Sequence, residues 1–161
     1  MTPEPNNVAF VQRIENARTF KINPLEEIVV TVPSEPATHA FCMVEHRSAP
    51  NAAPPLHLHR NEDEIFEILE GQFRFWLDGE IVEAPPGTIV VAPRNGTHTW
   101  KNVGEIPGRM SVTFILGGID GCFYGMEDIP HTDTCAPIIG EQYGIVYIAP
   151  APEALDLALQ K

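Results

Sequence analysis

Along most of this chain apolar and polar residues alternate with a period of two, not with the 3.6-residue period of an amphipathic helix. Within residues 72–77, Phe73, Phe75 and Leu77 fall on one side and Gln72, Arg74 and Trp76 on the other. That is the signature of a strand with one face in a core. Similar runs recur as NARTFKI, EEIVVTVP, THAFCMVEHR, PLHLH, EIFEILEG, EIVEAPP, TIVVAP, THTWKNV and RMSVTFIL. Gly71, Asp78-Gly79 and Pro86-Gly87 stand where hairpin turns would fall. Ten short strands with this punctuation predict an all-β sandwich or jelly roll.

The last forty or so residues change character. Residues 119–125 and 136–143 are compatible with short helices, broken by Pro130 and Pro137. A final strand, IVYIAP, follows. In the tail PEALDLALQK, Leu155, Ala158 and Leu159 recur at helical spacing behind Pro152, which predicts a short terminal helix.

Length and charge narrow the picture. A chain of 161 residues is expected to form one domain, 1–161, with a core of its own. A barrel core is expected over about 38–116 and a helical extension over about 117–161. The formal net charge of -12 disfavours nucleic acid and anionic membrane surfaces through repulsion. MTPEPNNVAF shows no basic stretch followed by an apolar run, and no apolar run approaches the length of a membrane span. Cys42, Cys122 and Cys135 are odd in number and widely spaced, with no CxxC. They read as buried, reduced thiols of a cytoplasmic protein.

One stretch breaks the pattern. In PPLHLHRNEDEIFEILEG, His57 and His59 share one face of a strand, with Leu56 and Leu58 on the other, and Glu64 falls on the next strand. Buried imidazoles and a buried carboxylate are costly unless something compensates them. A divalent metal ion does so, and imidazole nitrogens with an ionised carboxylate are ordinary ligands for first-row metals. His98, in PRNGTHTWKN, is a fourth candidate. His39, His46 and His131 have no matching pattern and read as ordinary polar residues. Glu62, Asp63 and Glu67 read as solvated or turn-forming, with Glu62 near enough to be a spare carboxylate.

The order His57-x-His59-x4-Glu64-x6-Gly71 resembles the first signature motif of the cupin superfamily, and Gly87-x5-Pro93-x4-His98-x3-Asn102 resembles the second. The fifteen residues between Gly71 and Gly87 match the spacing of small microbial cupins. Two motif glycines are replaced, by Asn51 and Asn95, and Asn is the residue other than Gly that best holds a left-handed conformation. The resemblance implies a double-stranded β-helix (jelly-roll) barrel with short C-terminal helices. It also implies metal ligation by His57, His59, Glu64 and His98.

The implied cofactor is one divalent first-row transition metal ion, and Fe, Mn, Ni, Co, Cu and Zn all tolerate such donors. Strand parity places Phe66 and Ile68 on the face of Glu64 and Trp100 on that of His98, with Phe73 and Phe75 on a neighbouring strand, as the expected substrate pocket. The resemblance is to quercetin dioxygenases. It implies a metal-dependent dioxygenase acting on a small aromatic or enediol-like compound, with Glu64 as ligand or catalytic base. Isomerase, epimerase or lyase chemistry, or non-catalytic ligand binding, suits the same fold. Similar cupins pair through strands placed like NARTFKI and EEIVVTVP, so a homodimer is expected.

Overall fold

The computed structural model of the protein describes residues 8–126 and 135–152, with side chains of the second segment from 139 onward. His131 and the predicted terminal helix beyond Pro152 lie outside the described residues, as does the Cys135 side chain.

All ten alternating runs are strands, and IVYIAP is an eleventh. They are β1 (Arg18–Asn23), β2 (Glu26–Val32), β3 (Phe41–Ser48), β4 (Leu56–His59), β5 (Asp63–Glu70), β6 (Phe73–Leu77), β7 (Glu80–Ala84), β8 (Ile89–Ala92), β9 (His98–Asn102), β10 (Gly108–Ile115) and β11 (Ile145–Ala149). Two helices, α1 (Asp120–Met126) and α2 (Cys135–Gln142), separate β10 from β11. The strands form two antiparallel sheets, β1-β2-β3-β10-β5-β8 and β11-β4-β9-β6-β7. This is a jelly-roll arrangement, as expected. Among the described residues no helix is long and apolar enough to cross a membrane.

The hairpin turns follow from backbone chemistry. Asp78 and Gly79 both have positive φ, 46° and 90°, as a tight two-residue loop between β6 and β7 requires. Gly71 has φ 88°, and a Cβ there would stand 2.7 Å from the Gly108 Cα, so no other residue fits. Asn51 and Asn95, at the two positions where the motifs usually carry Gly, take φ 69° and 66°. The substituted asparagines therefore keep the left-handed turns. Asn102 ties this end together: its Nδ2 donates to the Ser48 and Ile106 carbonyls at 3.0 and 3.1 Å, and its Oδ1 accepts from the Gly104 amide at 3.0 Å.

The inner faces of both sheets meet in a core built around Phe66, Ile68, Phe73, Phe75, Met110 and Val112. Burying side chains of this size stabilises by about 1.5–3 kcal/mol each. The C-terminal segment is not only helical. β11 joins the five-stranded sheet beside β4, pairing Tyr147 with His57 and Ile145 with His59. α1 is held to the turn after β2 by Asp120, which accepts from the Ser34 amide at 3.0 Å and from the Ser34 hydroxyl, while Ser34 Oγ accepts from the Gly118 amide at 2.6 Å. Tyr124 packs on Phe20 of β1, and the Arg18 guanidinium lies 4.5 Å from the Tyr124 ring. Residues from both ends of the chain thus gather over one end of the sandwich.

Candidate metal centre

The four predicted donors converge. His57 and His59 come from β4 and His98 from β9, where His57 and His98 are direct cross-strand partners. Glu64 comes from β5 of the opposite sheet, in register with Phe114 and Ala92. One donor atom from each of the four residues lies within 4.8 Å of all the others. Three imidazoles of one sheet therefore face one carboxylate of the other.

Each imidazole is held by its outer nitrogen. His57 Nδ1 lies 2.7 Å from the Pro55 carbonyl and His98 Nδ1 lies 3.2 Å from the Gly96 carbonyl. A carbonyl can only accept, so both Nδ1 atoms carry the proton and both Nε2 lone pairs are free in the neutral rings. His59 Nδ1 meets Glu62 Oε2 at 3.3 Å. Glu62, read as solvated or turn-forming in the sequence, is buried. The stretch from Arg60 to Glu62 is turn, not strand, so alternation carries no information about its direction.

The inner atoms demand a cation. His98 Nε2 and His59 Nε2 stand 2.6 and 3.3 Å from Glu64 Oε2. Both His98 Nε2 and Glu64 Oε2 are buried with no hydrogen-bond partner. A lone pair facing a carboxylate oxygen repels it unless positive charge lies between them. A proton serves two such atoms, whereas a metal ion serves all four, so the donor set fits a metal.

The electrostatics agree. Burial pushes the His57 imidazole down to about 3, helped by the facing His98. Burial also opposes ionisation of Glu64, but His59 and His98 outweigh it and hold its carboxyl below the usual range. For His98 burial works against the charged form, yet Glu64 prevails and raises its pKa.

The cluster opens on a cavity of about 330 Å³, near the lower end of the usual range for small-ligand sites. Phe66, Trp100 and Phe114 of the two sheets line it, Ile22 and Glu26 of the β1–β2 hairpin border it, and Phe123 and Tyr147 come from the C-terminal segment. Of the expected pocket residues, Phe66 and Trp100 line the cavity. Ile68, Phe73 and Phe75 do not, and this corrects the sequence-based pocket. They are fully buried one layer behind, where Phe75 packs edge-on against Phe66 at 5.2 Å and Phe73 against Trp100 at 5.6 Å. Parity gives the face of a side chain but not its depth.

The remaining candidates separate. Asp63 pairs with Arg94 at 2.8 Å, which pulls its carboxyl down to about 2. Glu67 and His39 are exposed. Cys42 and Cys122 are buried free thiols, and burial pushes each up to about 12. His46, read as an ordinary polar residue, lines the cavity. Its parity with Cys42 and Val44 in THAFCMVEHR was the available signal for that placement.

Comparison with known proteins adds a domain match and relatives in fold. Residues 44–115 match the family model described as Cupin domain. The quercetin 2,3-dioxygenase of Bacillus subtilis (strain 168) is 27% identical over 105 residues, which cover 65% of this chain but 31% of that enzyme. The chain thus spans about a third of the length of that relative. Among solved structures, KdgF from Halomonas sp. superposes with a TM-score of 0.64 at 19% identity, covering 71% of this chain and 99% of its own. Streptomyces PAC13 with uridine gives 0.63 at 11% identity and covers 92% of this chain and 97% of its own. Both motifs, the domain model matched over residues 44–115 and this jelly roll make the chain similar to small cupins.

Proposed function

We propose that His57, His59, Glu64 and His98 bind one divalent first-row metal ion, and that the protein is a metal-dependent dioxygenase for a small aromatic or enediol-like compound of flavonol type. The observation that carries this reading is the four-donor cluster at the floor of a largely apolar cavity. The likeness to a quercetin dioxygenase supports the choice of reaction. A redox-active ion held by these donors supplies Lewis acidity and a route for electrons to dioxygen. The chain supplies the rest. Phe66 and Trp100 offer flat apolar walls to an aromatic ring, and the cavity separates it from bulk water. Glu64 stands at the cluster as a ligand, and if it swings off the ion it would accept the proton of a substrate hydroxyl there.

The test loads the protein anaerobically with Fe, Mn, Ni, Co or Cu, adds a panel of flavonols and other enediols, and then admits air. Oxygen uptake that depends on metal and vanishes in Glu64→Ala and His98→Ala supports the proposal. Binding with no oxygen uptake in any metal form rejects it. Product formed without oxygen would then mark an isomerase or lyase, and binding without product a sensor.

We further infer a homodimer. β1 is an edge strand, and apolar Val8, Phe10, Val11 and Ile14 are exposed just before it. Light scattering at micromolar concentration should give twice the 17.8 kDa chain mass. A monomer mass would reject the pairing.

A further inference from the structure

A second polar feature of the cavity lies outside the four-donor cluster. His46 of β3 lines the cavity and meets Trp100 edge-on at 5.6 Å. Its Nδ1 is buried and has no hydrogen-bond partner. The side chain is half-buried, and burial pushes its imidazole down to about 4. The ring is therefore neutral at physiological pH. It carries one donor and one acceptor nitrogen.

Glu26 belongs to the same face. β2 and β3 pair Ile28 with His46 and Glu26 with Ser48, so Glu26 and His46 are diagonal neighbours within reach of long side chains. Glu26 also lines the cavity, is buried, and has Asn23 Nδ2 as its hydrogen-bond donor. Burial raises its carboxyl pKa, against the opposing effect of Asn23. A buried carboxyl and a half-buried imidazole whose Nδ1 is buried and unsatisfied are costly to keep there unless something else uses them.

Register separates the backbone positions of this pair and of the cluster, although the His46 imidazole still feels the Glu64 charge. His46 sits opposite Met110 on β10, whereas Glu64 sits opposite Phe114. The two levels differ by four residues of β10, about 13 Å along the strand. A ligand held at the cluster by chelating oxygens would present its other end toward His46.

We propose that His46 and Glu26 form a second ligand-binding pole of the cavity, which hydrogen-bonds a hydroxyl group on the distal ring of an aromatic substrate. The inference rests on the small-molecule reading of the site and adds its selectivity. His46 gives or accepts one hydrogen bond through its free nitrogen, and Glu26 offers a second to the same hydroxyl. Compounds with a chelating end and a distal phenol are then preferred over those with the chelating end alone.

The experiment compares 3-hydroxyflavone with 3,4'-dihydroxyflavone, titrated anaerobically into metal-loaded wild type, His46→Phe, His46→Leu and Glu26→Gln. Metal content and melting temperature are measured for each protein without flavone. The wild type should prefer the dihydroxy compound by about tenfold, the order that the net gain of one hydrogen bond supplies. The preference should collapse toward one in the variants, with metal content retained. The His46 variants should melt no lower than wild type, because a buried unpaired polar atom has been removed. If wild type binds both flavones equally, or the variants keep the preference, the second pole is wrong while the metal-site reading stands. If neither flavone binds the metal-loaded wild type, the flavonol reading falls and this proposal with it. Lower melting temperatures in both His46 variants with the preference intact would assign His46 to the core instead.

Discussion

His57 and His98 face each other as direct partners of β4 and β9, with ring centroids 4.5 Å apart, and the Nε2 of His98 reaches across to Glu64 of the opposite sheet. This one relationship ties the cluster to the architecture. Strand pairing fixes two imidazoles against each other, and the packing of the two sheets brings the carboxylate to them.

Removing both partners should therefore abolish metal binding. The double variant His57→Ala/His98→Ala, purified without added metal or chelator, is expected to hold almost no metal by elemental analysis, against about one ion per chain in wild type. Because neither side chain belongs to the aromatic core, far-UV circular dichroism should remain that of a β protein. Full metal content in the double variant would move the site elsewhere.

Glu62 acts one step out. Its carboxylate fixes the tautomer and orientation of His59 from the Nδ1 side. Loss of such an outer partner typically weakens metal binding 10–100-fold. Competition with a chromophoric chelator should show a shift of that size for Glu62→Ala, with all four candidate donors still present. An affinity equal to that of wild type would mean that the 3.3 Å contact has no functional weight.

Asn95 links the turn before β9 to the same histidine, since its amide donates to the His59 carbonyl at 2.7 Å. A left-handed φ of 66° costs a β-branched residue about 1–2 kcal/mol and costs Gly nothing comparable. In urea unfolding, Asn95→Val should lose about that much, whereas Asn95→Gly should match wild type. Equal midpoints for Val and Asn would show that the turn relaxes freely.

What the sequence reveals and what it conceals follow from the same physics. Every strand was legible because period-two alternation and glycine turns are local properties. Part of the cluster was legible because His57 and His59 must share a face and Glu64 lies on the next strand, whereas the full set with His98 is what the resemblance to the cupin motifs implies. Glu62 escaped because it sits in a turn, where alternation has no meaning. His46 escaped because a polar residue at a core-parity position looks like an exception until the cavity beside it is seen. Phe73 and Phe75 were placed on the correct face but at the wrong depth, since layering depends on how two sheets pack.

The outer face of the six-stranded sheet gives a pH prediction independent of the metal. Glu45 accepts from Arg47 Nε at 2.7 Å and from Arg109 Nη2 at 2.9 Å. Arg109 in particular holds the Glu45 carboxyl below its ordinary 4.5. A carboxyl depressed in the folded state contributes stability above its unfolded pKa, and that contribution is lost as pH falls through the lower folded value. The guanidinium groups are half-exposed, so solvent screening limits the effect to about 1 kcal/mol. Acid also relieves the general repulsion of a chain carrying a net charge of -12, so wild type alone would be ambiguous. The difference between wild type and Glu45→Gln removes that background. It should be about 1 kcal/mol in urea unfolding at pH 6–7, begin to shrink near pH 4.5, and disappear at lower pH. Added salt should reduce it at neutral pH. A difference that stays constant from neutral to acid would show that Glu45 stabilises through packing and not through its charge.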